Sequence, residues 1–122
     1  MNGSLARFGW LYANAGNWNG RQLISAEWVR QSTQPHVTKA RAQNDYGYLW
    51  WVNINPETRE QLFWAAGAGG QFVLVMPERR MVIVHLVDIP VLSEAIESKR
   101  TISWGDFFKL VRVITSASPD RK

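Results

Sequence analysis

Phe63–Asp88, FWAAGAGGQFVLVMPERRMVIVHLVD, decides the fold of this chain. It opens on small residues, Ala66, Gly67, Ala68, Gly69 and Gly70, and continues as the most apolar segment of the sequence. A glycine cluster costs backbone entropy on folding, so the backbone itself is needed there, for a turn, for close packing or for a ligand. Beyond it, QFVLVMP and MVIVHLV read as two strands joined through Glu78, Arg79 and Arg80, which predicts a tight antiparallel hairpin. Neither strand alternates. Phe72 to Met76 is apolar at every position, so both faces must be covered, and helices are expected on both sides of an antiparallel sheet.

The flanking segments supply those helices. SLARFGWLYANAG (residues 4–16) places Leu5, Phe8, Leu11 and Tyr12 on one face, with Ser4 as N-cap and Gly16 as terminator. Asn19-Gly20 marks a turn within NWNGRQLI. Ser25 caps a short helix, AEWVRQST, whose Glu27 sits in the first turn, where the helix dipole favours a carboxylate. Residues 33–45 are polar and aperiodic and contain Pro35, which predicts a loop. YGYLWWVN (Tyr46–Asn53) and QLFWAA read as strands rich in aromatic residues. Residues 89–102 read as a connector with a short helix around Val91–Glu97. A final helix starts at Ser103, with Asp106 at N3, an Ile102–Phe107 staple, and Trp104, Phe107, Phe108 and Val111 on one stripe. Residues 116–122 are expected to fray.

Length and composition fit this reading. A chain of 122 residues, 46% hydrophobic and 20% charged, suits a single globular domain over residues 1–122. Seven tryptophans promise large flat contacts in the core or at an interface. The chain has no cysteine, which rules out disulfides, thiolate metal sites and a thiol nucleophile. The net charge of +4 is dispersed, with six Lys/Arg against four Asp/Glu in residues 1–60 and eight against six thereafter, or +2 in each half. Nucleic-acid binders carry a basic stripe or arm, so no nucleic-acid partner is expected. No segment approaches the ~18 apolar residues of a membrane span, and the N-terminus lacks a signal-peptide pattern. The compartment stays open.

Several motifs have ordinary readings. His36 and His85 are not at ligand spacing with other metal ligands, so no metal or other cofactor is expected, and His85 reads as a structural histidine within a buried strand. GAGGQF opens a strand, whereas a dinucleotide loop follows a strand and opens a helix. Tyr12-Ala13-Asn14 matches a Y-x-N element, but Tyr12 lies on the apolar side of its helix.

The order of three segments carries a resemblance. LARFGWLYANAGNWNGRQLISAEWV, YGYLWWVN and FWAAGAGGQFVLVMPERRMVIVHLVD together resemble the C-terminal third of the serine β-lactamase-like superfamily, over residues 3–115. This superfamily includes class C β-lactamases, penicillin-binding DD-peptidases, related esterases and 6-aminohexanoate-oligomer hydrolases. The most specific marker is the G-x-G-G-Q element running into a strand that ends in Pro-Glu. The resemblance implies an α/β (α+β) fold with about three main antiparallel strands between N- and C-terminal helices, an incomplete version of the family fold. It implies acyl transfer from an amide or ester to a serine in S-x-x-K, with a Lys and a Y-x-N Tyr as bases and a Lys/His-Thr/Ser-Gly motif on the strand lining the site.

Counting back from Pro77-Glu78 puts that last motif at Ala65-Ala66-Gly67, which keeps the glycine and lacks the cation and the hydroxyl. That weakens recognition of a β-lactam carboxylate and leaves esters and amides open. The next residue, Ala68, would give its backbone N–H to the oxyanion hole, a role any side chain permits. Ala65, Ala66, Gly67, Gly69, Gly70 and Gln71 would line the substrate. No serine here has lysine three residues on, and Ser4-Leu5-Ala6-Arg7 comes nearest. The chain alone is therefore expected to lack the family's acylation chemistry. In the family, two N-terminal strands pair onto the last C-terminal one, so strand 81–87 is expected to be an open edge covered by a second copy or by a complementing N-terminal hydrolase part. The alternative is a non-catalytic interaction module that docks through this edge and a Trp-rich surface.

Overall fold

A computed structural model describes residues 2–87 and 102–117. Three helices are present among them: α1 (Asn2–Ala13), α2 (Ala26–Ser32) and α3 (Trp104–Ala117). Strands β1 (Asn17–Trp18) and β2 (Arg21–Gln22) form a small hairpin. Strands β3 (Val37–Arg41), β4 (Asn44–Tyr46), β5 (Trp51–Ile54), β6 (Gln61–Gly67), β7 (Gln71–Met76) and β8 (Met81–His85) form one antiparallel meander in chain order. The helix expected around Val91–Glu97 and the last residues of the tail lie outside the described residues, whereas Ser116 and Ala117 still belong to α3.

The apolar hairpin is the centre of the fold. β7 pairs with β6 from Phe63↔Val75 to Gly67↔Gln71 and with β8 from Phe72↔His85 to Met76↔Met81. Residues 72–76 are all buried, as their unbroken hydrophobicity requires. Alternation along the strand divides them between two cores. Val75, with Val52 and Phe63, packs with Tyr12, Val29 and Trp50. Phe72, Leu74 and Met76, with Trp64, meet Phe107 and Val111 of α3. Phe72 and Phe107 lie flat on each other, ring centroids 4.0 Å apart.

Each helix closes one face for a reason visible in its sequence. α1 approaches the sheet at Gly9, where a Cβ would come within 2.7 Å of Val82 and 3.2 Å of Val73. Only a glycine lets the helix lie that close. Tyr12 is part of this aromatic core, its ring 5.0 Å from Trp50 and 6.3 Å from Phe63, as its place on the apolar side of α1 predicts. On the other face, Ser103 Oγ accepts from the Asp106 N–H at 3.1 Å, which caps α3 as the sequence indicates. At α2, Ser25 Oγ accepts in the same way from the Trp28 N–H.

Three readings need correction. Ser4 does not cap α1, because the helix already runs from Asn2 and holds Ser4 within its first turn. Residues 33–45 are not all loop, because β3 and β4 form a hairpin there. Its strands are polar and mostly exposed, so no apolar alternation announces them. Its turn residues, Ala42 (φ 51°) and Gln43 (φ 63°), take the left-handed conformation usually signalled by Asn-Gly. Likewise Tyr46–Asn53 is not one strand. The chain ends β4 at Tyr46, turns through Leu49 at φ 68°, and starts β5 at Trp51. Gly47 is fixed against α2's exit, where a Cβ would meet the Gln34 carbonyl at 2.8 Å.

The tryptophans are mainly core. Trp50 and Trp64 are buried, Trp51 and Trp104 flank Trp64, and only Trp28 exposes a large part of its side chain. β8 occupies an edge of the sheet among the described residues. No helix among the described residues is long and apolar enough to cross a membrane.

Candidate functional site

The small residues of 66–70 carry two different jobs. Gln71 pairs with Gly67, so Ala68, Gly69 and Gly70 form the β6–β7 turn. Gly69 (φ 85°) and Gly70 (φ 102°) hold conformations that side-chain-bearing residues rarely adopt. A Cβ on Gly70 would also sit inside the Ile102 side chain, and within 3.1 Å of the Ile102 nitrogen. The turn is therefore packed against the entry to α3. It is held from the β8 side as well, where His85 Nδ1–H donates to the Gly70 carbonyl at 2.7 Å. His85 is thus a structural residue.

Gly67 differs. It is not in the left-handed region, and a Cβ there would meet mainly the Gln71 side chain, at 3.3 Å. Neither turn geometry nor packing dictates glycine at this position. A glycine there keeps the wall of the adjoining cavity low.

That cavity, about 360 Å³, lies against β6 and the turn. The β5–β6 ladder runs from Ile54↔Gln61 to Trp51↔Trp64 and stops there, whereas β7 continues to Gly67. So β6 is an interior strand up to Trp64, and Ala65–Gly67 has a strand on one side only among the described residues. Backbone hydrogen-bonding groups on the other side of this short edge face the position a partner strand would take. Ala66, Gly67, Ala68, Gly69 and Gly70 line the cavity, and Ala68 is exposed at its mouth.

The remaining two expected site residues lie elsewhere. Ala65 turns to the opposite face and packs with the α1 core. Gln71 spends its side-chain amide on Val87, donating to its carbonyl at 3.0 Å and accepting from its N–H at 3.1 Å. This extends the hold of β7 on the chain beyond β8.

Sequence reasoning missed the opposite wall. Trp51 and Trp104 form it, their rings 4.9 Å apart at a steep angle. Arg41, at the end of β3, lays its guanidinium 4.2 Å from the Trp104 ring centroid. Arg41 is the one charged residue lining the cavity among the described residues. Ser103 and Trp104, at the amino end of α3, also line it, and a helix amino end carries partial positive charge. Among the described residues the lining offers a cation and no carboxylate, so this part of the wall carries positive charge. The loop reading of 33–45 hid Arg41, and the only available signal was a basic residue in a polar segment.

Tyr12-Ala13-Asn14 forms no part of this cavity, since Tyr12 is buried and the Asn14 amide donates to the Trp10 carbonyl at 2.8 Å. Among the described residues, the one strongly shifted pKa belongs to Glu27 on α2. There Arg30 and Gln31 hydrogen-bond the Glu27 carboxylate and lower its pKa from 4.5 to about 2.

No protein-family model matches the sequence, and no curated protein sequence does either. Solved structures do match in fold. One is described as "Putative 6-aminohexanoate-dimer hydrolase from Bacillus anthracis", with a TM-score of 0.60 and 21% sequence identity over 97% of this chain. The chain spans 30% of the length of that protein. The mixed α/β architecture seen here, an antiparallel sheet between helices, therefore recurs as part of the larger fold of that protein.

Proposed function

We propose that this chain is the C-terminal segment of a β-lactamase-related serine hydrolase, acting on amide or ester bonds, in which β6 forms the substrate-side wall. The observation that carries this reading is the half-open strand. β6 is paired on both sides up to Trp64, then presents Ala65–Gly67 as an edge beside a cavity. An acyl substrate lies along such an edge as an extra strand. Ala68 then donates its backbone N–H to the oxyanion that forms when a serine attacks the carbonyl. Gly67 lets the substrate approach the backbone, Gly69 and Gly70 hold the turn that carries Ala68 at the cavity, Ala66 lines the floor, and Ala65 and Gln71 brace the strand from behind. Arg41 takes over the charge that the motif lacks at Ala65 and faces an anionic part of the substrate.

The nucleophile comes from outside these 122 residues, which contain no S-x-x-K. The part that supplies it joins along β8, whose outer side has no neighbouring strand among the described residues. No cofactor enters the proposed reaction, and neither a nucleic acid nor a membrane takes part. A second reading, an interaction module without catalysis, draws on the same edge and on the exposed stack of Trp28, Tyr48 and His36. It draws little from the other tryptophans, which are at least half-buried.

A fluorophosphonate probe separates the two when applied to this chain and to the product of the reading frame extended upstream of Met1. The hydrolase reading expects no labelling of the chain alone, and labelling of the extended product at a serine in S-x-x-K. An upstream frame without that motif, or labelling of the chain alone, overturns it.

A further inference from the structure

A second cavity, about 350 Å³, lies at the other end of β7 from the candidate site. The two are separated by the length of that six-residue strand, roughly 20 Å. Three separate pieces of chain meet there: the last turn of α1, the β1–β2 hairpin and the β7–β8 turn. They bring together two indoles (Trp10 and Trp18), three side-chain amides (Asn14, Asn17 and Asn19) and one guanidinium (Arg80). Its volume falls near the lower end of the roughly 300–1,000 Å³ usual for small-molecule sites.

The hydrogen-bonding inventory says what would fill it. Arg80 donates to Asn14 Oδ1 at 3.2 Å and lies 5.1 Å from the Trp10 ring centroid. No carboxylate pairs with it among the described residues, in contrast to its neighbour Arg79, which is paired with Glu60 at 2.7 Å. Most Arg80 N–H donors are therefore unspent. Asn17 Oδ1 accepts from the Gly20 N–H at 2.9 Å, which fixes the hairpin and sets Trp18 and Asn19 beside Arg80. Asn19 sits at φ 50°, and its side chain makes no hydrogen bond among the described residues.

Each wall selects a different part of a ligand. An indole face is electron-rich and attracts the weakly positive C–H face of a sugar ring. Side-chain amides both donate and accept, which suits ring hydroxyls. An unpaired guanidinium suits a carboxylate. A neutral sugar would leave Arg80 without a carboxylate, and an aromatic acid would leave the Asn19 amide without a partner, Asn14 and Asn17 being already hydrogen-bonded within the fold. We propose that this cavity, formed by Trp10, Trp18, Asn14, Asn19 and Arg80, binds an acidic sugar of the uronate type. This site is independent of the hydrolase reading.

The test is a titration of the ¹⁵N-labelled chain, followed by NMR at the tryptophan indole N–H signals. Sodium D-glucuronate is the probe, with methyl β-D-glucoside and sodium acetate as controls. The expected result is saturable shifts of the Trp10 and Trp18 signals by glucuronate, with both controls at least about tenfold weaker. Arg80→Gln should weaken glucuronate binding by about tenfold or more while leaving the rest of the spectrum in place. Asn19→Asp, which sets a carboxylate in the cavity, should do the same. The proposal is overturned by no saturable shift at tens of millimolar glucuronate, by acetate or the glucoside binding as well as glucuronate, or by full binding in both variants.

Discussion

Replacing Gly70 by alanine tests the division of labour within the small-residue run. Gly70 sits at φ 102°, and its missing Cβ is replaced in space by the Ile102 side chain. Holding a residue other than glycine in such a region costs about 1–3 kcal/mol. The steric term adds to this. The Ile102 methyl would have to retreat by more than about 1 Å to reach normal contact. It cannot do so by a rotamer change alone, because the Ile102 nitrogen and Cβ also lie within 3.1 and 3.2 Å of the new atom. Overpacking of this kind costs about 1–3 kcal/mol. Gly70→Ala should therefore lose about 2–6 kcal/mol, a large part of the about 5–15 kcal/mol typical of a folded domain. Gly67→Ala is the control, and it should change stability by less than about 1 kcal/mol, because only the Gln71 side chain, at 3.3 Å, must give way. Urea unfolding followed by tryptophan fluorescence reads both, through Trp64 and Trp104 in the core beside the turn. If Gly70→Ala unfolds within about 0.5 kcal/mol of the parent chain, or Gly67→Ala costs as much as Gly70→Ala, the reasoning is refuted.

Other outcomes follow from the same structure. Phe107→Ala removes a buried ring stacked on Phe72 and should cost about 3–5 kcal/mol in the same urea assay. Arg41→Gln should leave the urea midpoint nearly unchanged, since Arg41 is exposed and its stacking on Trp104 is worth about 0.5–1 kcal/mol. In the proposed upstream-extended hydrolase it should raise KM for anionic substrates more than for neutral ones, and an equal change for both would contradict its assignment. Glu27 has a folded pKa depressed to about 2, so its contribution is present above the unfolded value of 4.5 and is lost as pH falls through about 2. NMR titration of its side-chain carboxyl should show that low midpoint, and Arg30→Gln should return it toward 4.5. A midpoint near 4.5 in the parent chain would show that the Arg30 and Gln31 contacts do not persist in solution.

How much was legible in the sequence depended on whether burial or exposure set the local structure. The unbroken apolar run of 72–76 required two covered faces, and α1 and α3 supply them. Ser25 and Ser103 cap their helices because a hydroxyl before a helical stripe has one dominant local use. β3 and β4 were hidden, because exposed polar strands leave no hydrophobic period and their turn uses Ala42 and Gln43 in place of glycine or asparagine. With them went Arg41, whose role depends on a contact with Trp104 across 63 positions of sequence, 104 − 41. The glycine run was legible as a place where the backbone matters. Only coordinates separate Gly70, which packing requires, from Gly67, which it does not.

The central claim is that β6 and Ala68 form one wall of a serine hydrolase site. It is tested most directly by the structure of the upstream-extended protein after reaction with a phosphonate that mimics the tetrahedral intermediate. The account predicts the phosphonyl oxygen at about 2.7–3.1 Å from the Ala68 nitrogen, with the bound chain lying along Ala65–Gly67. A phosphonyl oxygen held by other donors, with the β6 edge and its cavity empty, would contradict it.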